Sequence, residues 1–200
     1  MNTLYRPAVF SLFLLGAASL VVGLVRGEDR VSTSAIDVSR PDTWDRTVSE
    51  AGGRMSAIAG ALIDVARDEK RTQMDRDKAI GLLGRIGNKE SLDFLLSHYL
   101  LRFQVFSGST EEGQLRETPC QYAVHRMGRD WAVAQAILRS FDRPRTEMEA
   151  GLLSSRFIYI MNPEVAARIV DRELAEKPTG DREKNLKVLR ERITVLYGAL

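Results

Sequence analysis

Cysteine occurs once in the 200 residues, at Cys120, so no intramolecular disulfide braces the chain and stability has to come from packing. Histidine occurs twice, at His98 and His125, and with a single thiol these leave no ordinary four-ligand zinc set. An excess of one charge is also missing. Lys and Arg total 29 against 27 acidic residues, and the surplus is Arg6 and Arg26, both in the first 27 residues, where no Asp or Glu stands. The balanced remainder offers no overall positive field, so nucleic acid is not an expected partner. Aromatic residues are scarce at 7%, and no β-rich segment competes with the helical ones. Gly81, Gly84 and Gly87 form a spaced series, but they sit inside and at the end of a helix and follow no strand, so neither a phosphate loop nor a dinucleotide fingerprint is supported. Two glycines inside a helix cost about 1 kcal/mol each relative to alanine and point instead to tight contact with a neighbouring helix.

Charge is absent from Ala8 to Val25 (AVFSLFLLGAASLVVGLV), 18 residues that follow a short basic start. This run reads as a signal peptide or as an N-terminal membrane anchor occupying residues 1–27, its length lying between the two. On either reading the protein is exported, to become periplasmic or extracellular or to be held to a membrane through Ala8 to Val25. No cysteine lies nearby, which excludes a lipoprotein. Residues 28–50 read as a flexible arm rich in Ser, Thr, Asp and Arg and containing Pro41. One domain then fills residues 51–200.

Helical periodicity begins at Met55, with Ile58, Ala59, Leu62 and Ala66 on the same face, and should fade near Arg67 to Arg71. Ala79, Leu82, Leu83 and Ile86 repeat the spacing up to Gly87-Asn88. Leu92, Leu95, Leu96, Tyr99 and Leu100 line a second helix that starts at once, so the two are antiparallel neighbours. Ala79 to Leu100 aligns without gaps on Cys120 to Phe141, 41 residues on, and on Leu153 to Leu174, a further 33 on. Arg156 is the one polar break on the inner faces, and its spacing predicts that it either snorkels outward or pairs with Glu149 or Asp171. Thr118-Pro119, Thr146 with Glu149, and Asn162-Pro163 mark helix starts. Leu186, Leu189, Ile193, Leu196 and Tyr197 give a closing helix one apolar side.

Stacked helix pairs of this period specify an all-α fold. The expected form is a short α-solenoid of three antiparallel pairs with an entry and a capping helix, preceded by the hydrophobic N-terminal helix. The run AIGLLGRIGNKESLDFLL, Ala79 to Leu96, resembles the HEAT-like repeats first noted in phycobilisome lyase proteins. The resemblance implies a stacked-helix binding scaffold. It carries over no catalytic residue, the lyase activity belonging to a subset of such proteins.

The residues that could carry chemistry each have a plainer reading. Cys120 and His125 are five apart, about 140° around a helix, and no acid or amide partner has a defined place, so Cys120 reads as an inert packed thiol. His98, near a helix end, faces terminal carbonyls. Glu28-Asp29 and Glu111-Glu112 sit in turn-like segments and read as solvated loop carboxylates. Arg168 with Arg172, and Arg139, Arg143 and Arg145 around a turn, form either a groove-edge charge pattern or a solvated face. The long connection from Gln104 to Glu117 is either a binding insertion or a tolerated excursion.

The chain is therefore expected to be a noncatalytic scaffold for a protein or peptide, with no cofactor, no metal and no catalytic residue. Its binding face would lie along the successive second helices and include Arg102, Trp131, Gln135, Arg139, Glu164, Arg168 and Arg172. The alternatives are a structural subunit of a membrane-associated assembly and an enzyme whose site gathers His98, Cys120 and His125 between repeats.

Overall fold

A computed structural model describes residues 54–103 and 116–198. Eight α-helices lie within them: α1 (Met55–Arg67), α2 (Gln73–Ile86), α3 (Lys89–Ser97), α4 (Pro119–Arg126), α5 (Trp131–Ser140), α6 (Glu147–Met161), α7 (Pro163–Ala175) and α8 (Gly180–Tyr197). The described part is an all-α bundle of packed helices.

Local chemistry sets the helix starts. The side chains of Thr72, Asn88, Asp130, Thr146 and Asn162 each accept a first-turn backbone N–H, at 2.7–3.2 Å. Each such cap is worth about 1 kcal/mol. Pro119 and Pro163 occupy first-turn positions, where the missing N–H costs nothing. Gly87 closes α2 at φ 60°, its N–H bonded to Leu83 O at 3.0 Å, and Asn88 opens α3 immediately. Asn162, also at positive φ (63°), ends α6 and caps α7.

The inner faces expected from the spacing are the buried ones. Ala79, Leu83, Cys120, Val124, Leu153 and Phe157 are sealed from solvent on the first helices of the three pairs, as are Leu95, Val133, Ile137, Ala166 and Val170 on the second. Burying a leucine or phenylalanine of this kind stabilises the fold by about 2–3 kcal/mol. Two faces end earlier than expected. α3 stops at Ser97, so Leu100 is exposed while Tyr99 and Phe103 turn inward. On α8, Leu186, Leu189 and Ile193 are buried, but Leu196 and Tyr197 are exposed.

In the packing of the pairs, α2 lies on α4 and α3 on α5, first helix on first and second on second. The third pair meets the second through α5 and α6, and α8 packs on both α6 and α7. α1 covers α2 and α3 at the other end.

Polar side chains fasten these layers by completing the carbonyl ends of earlier helices. Arg76 Nε donates to Ala66 O of α1 at 2.9 Å, and Arg145 Nη1 to Leu96 O of α3 at 2.8 Å. Arg156 Nη2 donates to Val124 O of α4 at 2.9 Å, and Asn185 Nδ2 to Phe141 O at the end of α5 at 3.0 Å. The last four carbonyls of a helix lack the usual partner within it, and these contacts supply or add a donor there. Arg156 therefore neither snorkels nor pairs with Glu149 or Asp171. It is buried, and its charge is spread over carbonyl oxygens of the preceding pair because the negative end of α4 lies where a carboxylate was expected. Glu149 binds the buried Arg145 instead, and Asp171 pairs with Arg190 at 2.8 Å.

The membrane reading is corrected. No helix among the described residues is long and apolar enough to cross a membrane. The longest, α8, has 18 residues, of which eight are charged. Residues 8–25, on which the transmembrane helix, the membrane association and the membrane-anchored localisation rested, lie outside the described residues, as do the arm at residues 28–50 and the Glu111-Glu112 pair. The transmembrane helix, the membrane association and the membrane anchor are withdrawn.

Candidate functional site

Trp131, Gln135 and Arg139 recur every four residues along α5 and are all exposed, opposite the buried Val133, Ala136 and Ile137. Trp131 keeps 52% of its surface in solvent. Glu164, Arg168 and Arg172 form an equivalent exposed stripe on α7. Arg102 is exposed as well, but it stands beyond the end of α3 rather than on a helix face. The structure does not join these residues into one row. α3 runs against α5, whereas α7 packs on α6 and α8, and α5 with α7 is not among the closely packed pairs. Among the described residues, Arg102, Arg139 and Arg168 form no ion pair, while Arg172 approaches Glu173 at 4.0 Å. Arg143 and Arg145 leave the expected charge pattern. Arg143 donates to Ser97 Oγ at 2.6 Å, and Arg145 is the buried clasp on α3.

The three residues of the enzyme alternative are separated by their own local bonds. Cys120 is fully buried, and burial followed by the charge of Asp77 pushes its thiol up to about 12, so it stays protonated at neutral pH. His98 stacks on Phe94, with ring centroids 4.4 Å apart, and its Nδ1 meets Phe94 O at 3.0 Å at the carbonyl end of α3. His125 is exposed on α4. Among the described residues no group of three or more His, Cys, Asp or Glu is placed to hold a metal ion.

Two further perturbed groups belong to the clasp of α6 on α4. Burial lowers the Arg156 guanidinium from its ordinary value, opposed by Tyr99 and Tyr159, while burial raises the Tyr99 phenol to about 12. These shifts belong to a structural network, since Arg156 Nη2 donates to the Val124, His125 and Gly128 carbonyls.

A cleft of about 670 Å³ between α2 and α4 was missed by the sequence reading. Leu82, Gly84 and Ala123 line its inner part, Gly81 lies on the α2 wall, and Lys78, Arg85, Arg116 and Arg126 stand around it with Asp77 and Tyr122. Burial raises the Asp77 carboxyl and Arg116 opposes that rise. Gly84 fits the expectation of tight packing, because a Cβ there would meet Ala123 Cβ at 3.0 Å. Gly81 does not, because nothing lies within 4 Å of where its Cβ would be. Cations at positions 78 and 85, around an outward-facing glycine, were the available signal.

No protein-family model, no curated protein and no solved structure matches the chain.

Proposed function

We propose that the protein is a noncatalytic helical-repeat scaffold that holds another protein or a peptide along the outer stripe of α5, with Trp131, Gln135 and Arg139 as the contact residues. The observation that carries this reading is the stepped packing of the first two pairs, α2 on α4 and α3 on α5. In stacked-pair architectures that step sets outer helices side by side as an extended binding surface. An exposed tryptophan at the start of the stripe supports it, since tryptophan and arginine dominate interface energetics. The similarity of residues 79–96 to HEAT-like repeats points in the same direction. Because the third pair turns onto α5 through α6, Glu164, Arg168 and Arg172 form a separate edge for a long partner. The buried, protonated Cys120 and the locally engaged His98 favour binding over catalysis.

The test places a photo-cross-linking residue at position 135 of the full chain in cells, with position 187 on α8 as the control. One partner captured from 135, and lost with Trp131→Ala or Arg139→Glu in a normally folded chain, supports the reading. Equal capture from 187, or capture indifferent to both substitutions, rejects it. Joint replacement of His98, Cys120 and His125 leaves the capture unchanged if the protein acts without catalysis.

A further inference from the structure

The cleft between α2 and α4 has the length of a helix. Met74, Asp77, Lys78, Gly81 and Arg85 recur three and four apart on α2, so that wall runs about three turns, roughly 16 Å. Pro119, Tyr122, Ala123 and Arg126 recur in the same way on α4. Contact between Gly84 and Ala123 holds the two helices together and sets the depth of the floor. Gly81 lies on the same wall but makes no such contact. A glycine inside a helix costs about 1 kcal/mol relative to alanine, and packing accounts for that cost at Gly84 only. At Gly81 the bare backbone leaves room for a second chain to approach closely.

The rim has one dominant sign. Lys78 and Arg85 line the α2 side, Arg116 and Arg126 the α4 side, and Asp77 is the single acid among the lining residues. Charge in the chain beyond residue 27 is balanced, so this concentration is local. The guanidiniums of Arg116 and Arg126 each stand 5.7 Å from the centre of the Tyr122 ring, and Arg126 also donates to the Tyr122 hydroxyl at 3.1 Å. Stacking on one ring restricts both side chains before anything binds, which lowers the entropic cost of engaging a carboxylate. Met74, 60% exposed, and Met127 add adaptable apolar surface of the kind used in helix-binding grooves.

We propose that this groove is a second docking site and that its occupant is an amphipathic helix of a partner protein, its apolar stripe seated over Gly81 and Leu82 and its flanks carrying Asp or Glu. An apolar floor between two cationic walls matches an apolar stripe between two acidic flanks. The volume falls within the range of ordinary ligand sites. This surface is distinct from the stripe of α5, so its test leaves the scaffold reading untouched.

The experiment pans a phage library of helical peptides, randomised on the surface, against the full chain and against Gly81→Leu. Leucine at 81 projects into the groove from a position with no neighbour and favours the helix, and circular dichroism checks that the variant folds. Lys78→Glu and Arg126→Glu provide a second, charge-based pair that does not depend on filling the groove. Enriched peptides should carry apolar residues at i, i+3, i+4 and i+7 flanked by Asp or Glu, and should lose affinity as salt rises. They should bind each charge variant about tenfold or more weakly and should not be retained by Gly81→Leu. The proposal is overturned if nothing is enriched, if the enriched peptides are neutral or basic, or if Gly81→Leu retains them equally. It is also overturned if phosphatidylglycerol vesicles occupy the groove in their place. If a chain lacking residues 104–115 bound the peptides about tenfold more tightly, the groove would belong to the chain's own segment and the proposal would fall.

Discussion

Arg156 Nη2 lies 2.6 Å from the carbonyl oxygen of Gly128, and the same nitrogen reaches His125 O at 3.1 Å and Val124 O at 2.9 Å. One guanidinium from α6 thus binds two carbonyls of the last turn of α4 and one just beyond it. Arg156→Met keeps an unbranched apolar stem, stops short of the carbonyls and removes every donor. It should lower the stability to urea by about 3 kcal/mol, because the carbonyls lose charge-assisted bonds at a site only 7% exposed. A loss below about 1 kcal/mol would mean that water replaces the guanidinium and that the clasp is not a main support of the fold.

Two glycines on one helix should respond to alanine with opposite signs. Gly84→Ala drives a Cβ to 3.0 Å from Ala123 Cβ and should destabilise by about 1–2 kcal/mol. Gly81→Ala meets nothing and should stabilise by up to about 1 kcal/mol. Thermal melts of the two variants decide the matter. Equal losses at both positions would contradict the open face of α2.

Cys120 should make the fold alkali-sensitive. Its thiol is raised from 9.0 to about 12 in the folded chain, first by burial and then by Asp77. Between those values the folded chain holds a proton that the unfolded chain has lost. The stabilising contribution is therefore complete below about pH 9 and falls as pH rises toward about 12. Cys120→Ala, which installs the residue found at the equivalent position 79, should flatten the thiol's part of that decline in denaturation curves taken across the window. At neutral pH the native thiol should react with a disulfide reagent only as fast as the domain opens.

Asn185 is 1% exposed, and its amide donates to Phe141 O and Arg143 O, both at 3.0 Å. Asn185→Leu keeps the branching at Cγ, adds bulk and removes both bonds, so a loss of about 2 kcal/mol or more is expected, measured by equilibrium unfolding. Asn185→Asp, an acceptor facing two acceptors, should cost more.

The apolar periodicity made the helix pairs legible, because the core is built from positions such as Leu83, Val124 and Phe157 that recur at helical spacing. Their caps were legible for the same local reason, Asn88 and Asn162 being short acceptors directly ahead of a helix. Whatever depends on a distant partner was not. Arg156 looked like a defect in the third pair until the carbonyls of α4 came beside it, a separation of 28–32 residues. Arg145 read as surface charge, yet it is buried under the end of α3. The stripe Trp131, Gln135, Arg139 could be read from i, i+4 spacing, but its relation to Glu164, Arg168 and Arg172 depends on how α5 meets α6, which spacing along the chain does not encode. The cationic cleft escaped for the same reason, since its two walls come from separate helices and neither is unusual alone.

The carbonyl clasps described above all point in one direction along the chain. Ala66 waits for Arg76, 10 residues on, and Leu96 for Arg145, 49 on. Val124 waits for Arg156, 32 on, and Phe141 for Asn185, 44 on. During synthesis, therefore, α1, α3, α4 and α5 leave the ribosome with a carbonyl end that is clasped only when a later part of the chain has been translated. The bundle zips from the front and is locked from the back, and a premature stop before residue 185 would leave α5 without its clasp while every residue of α5 itself is present.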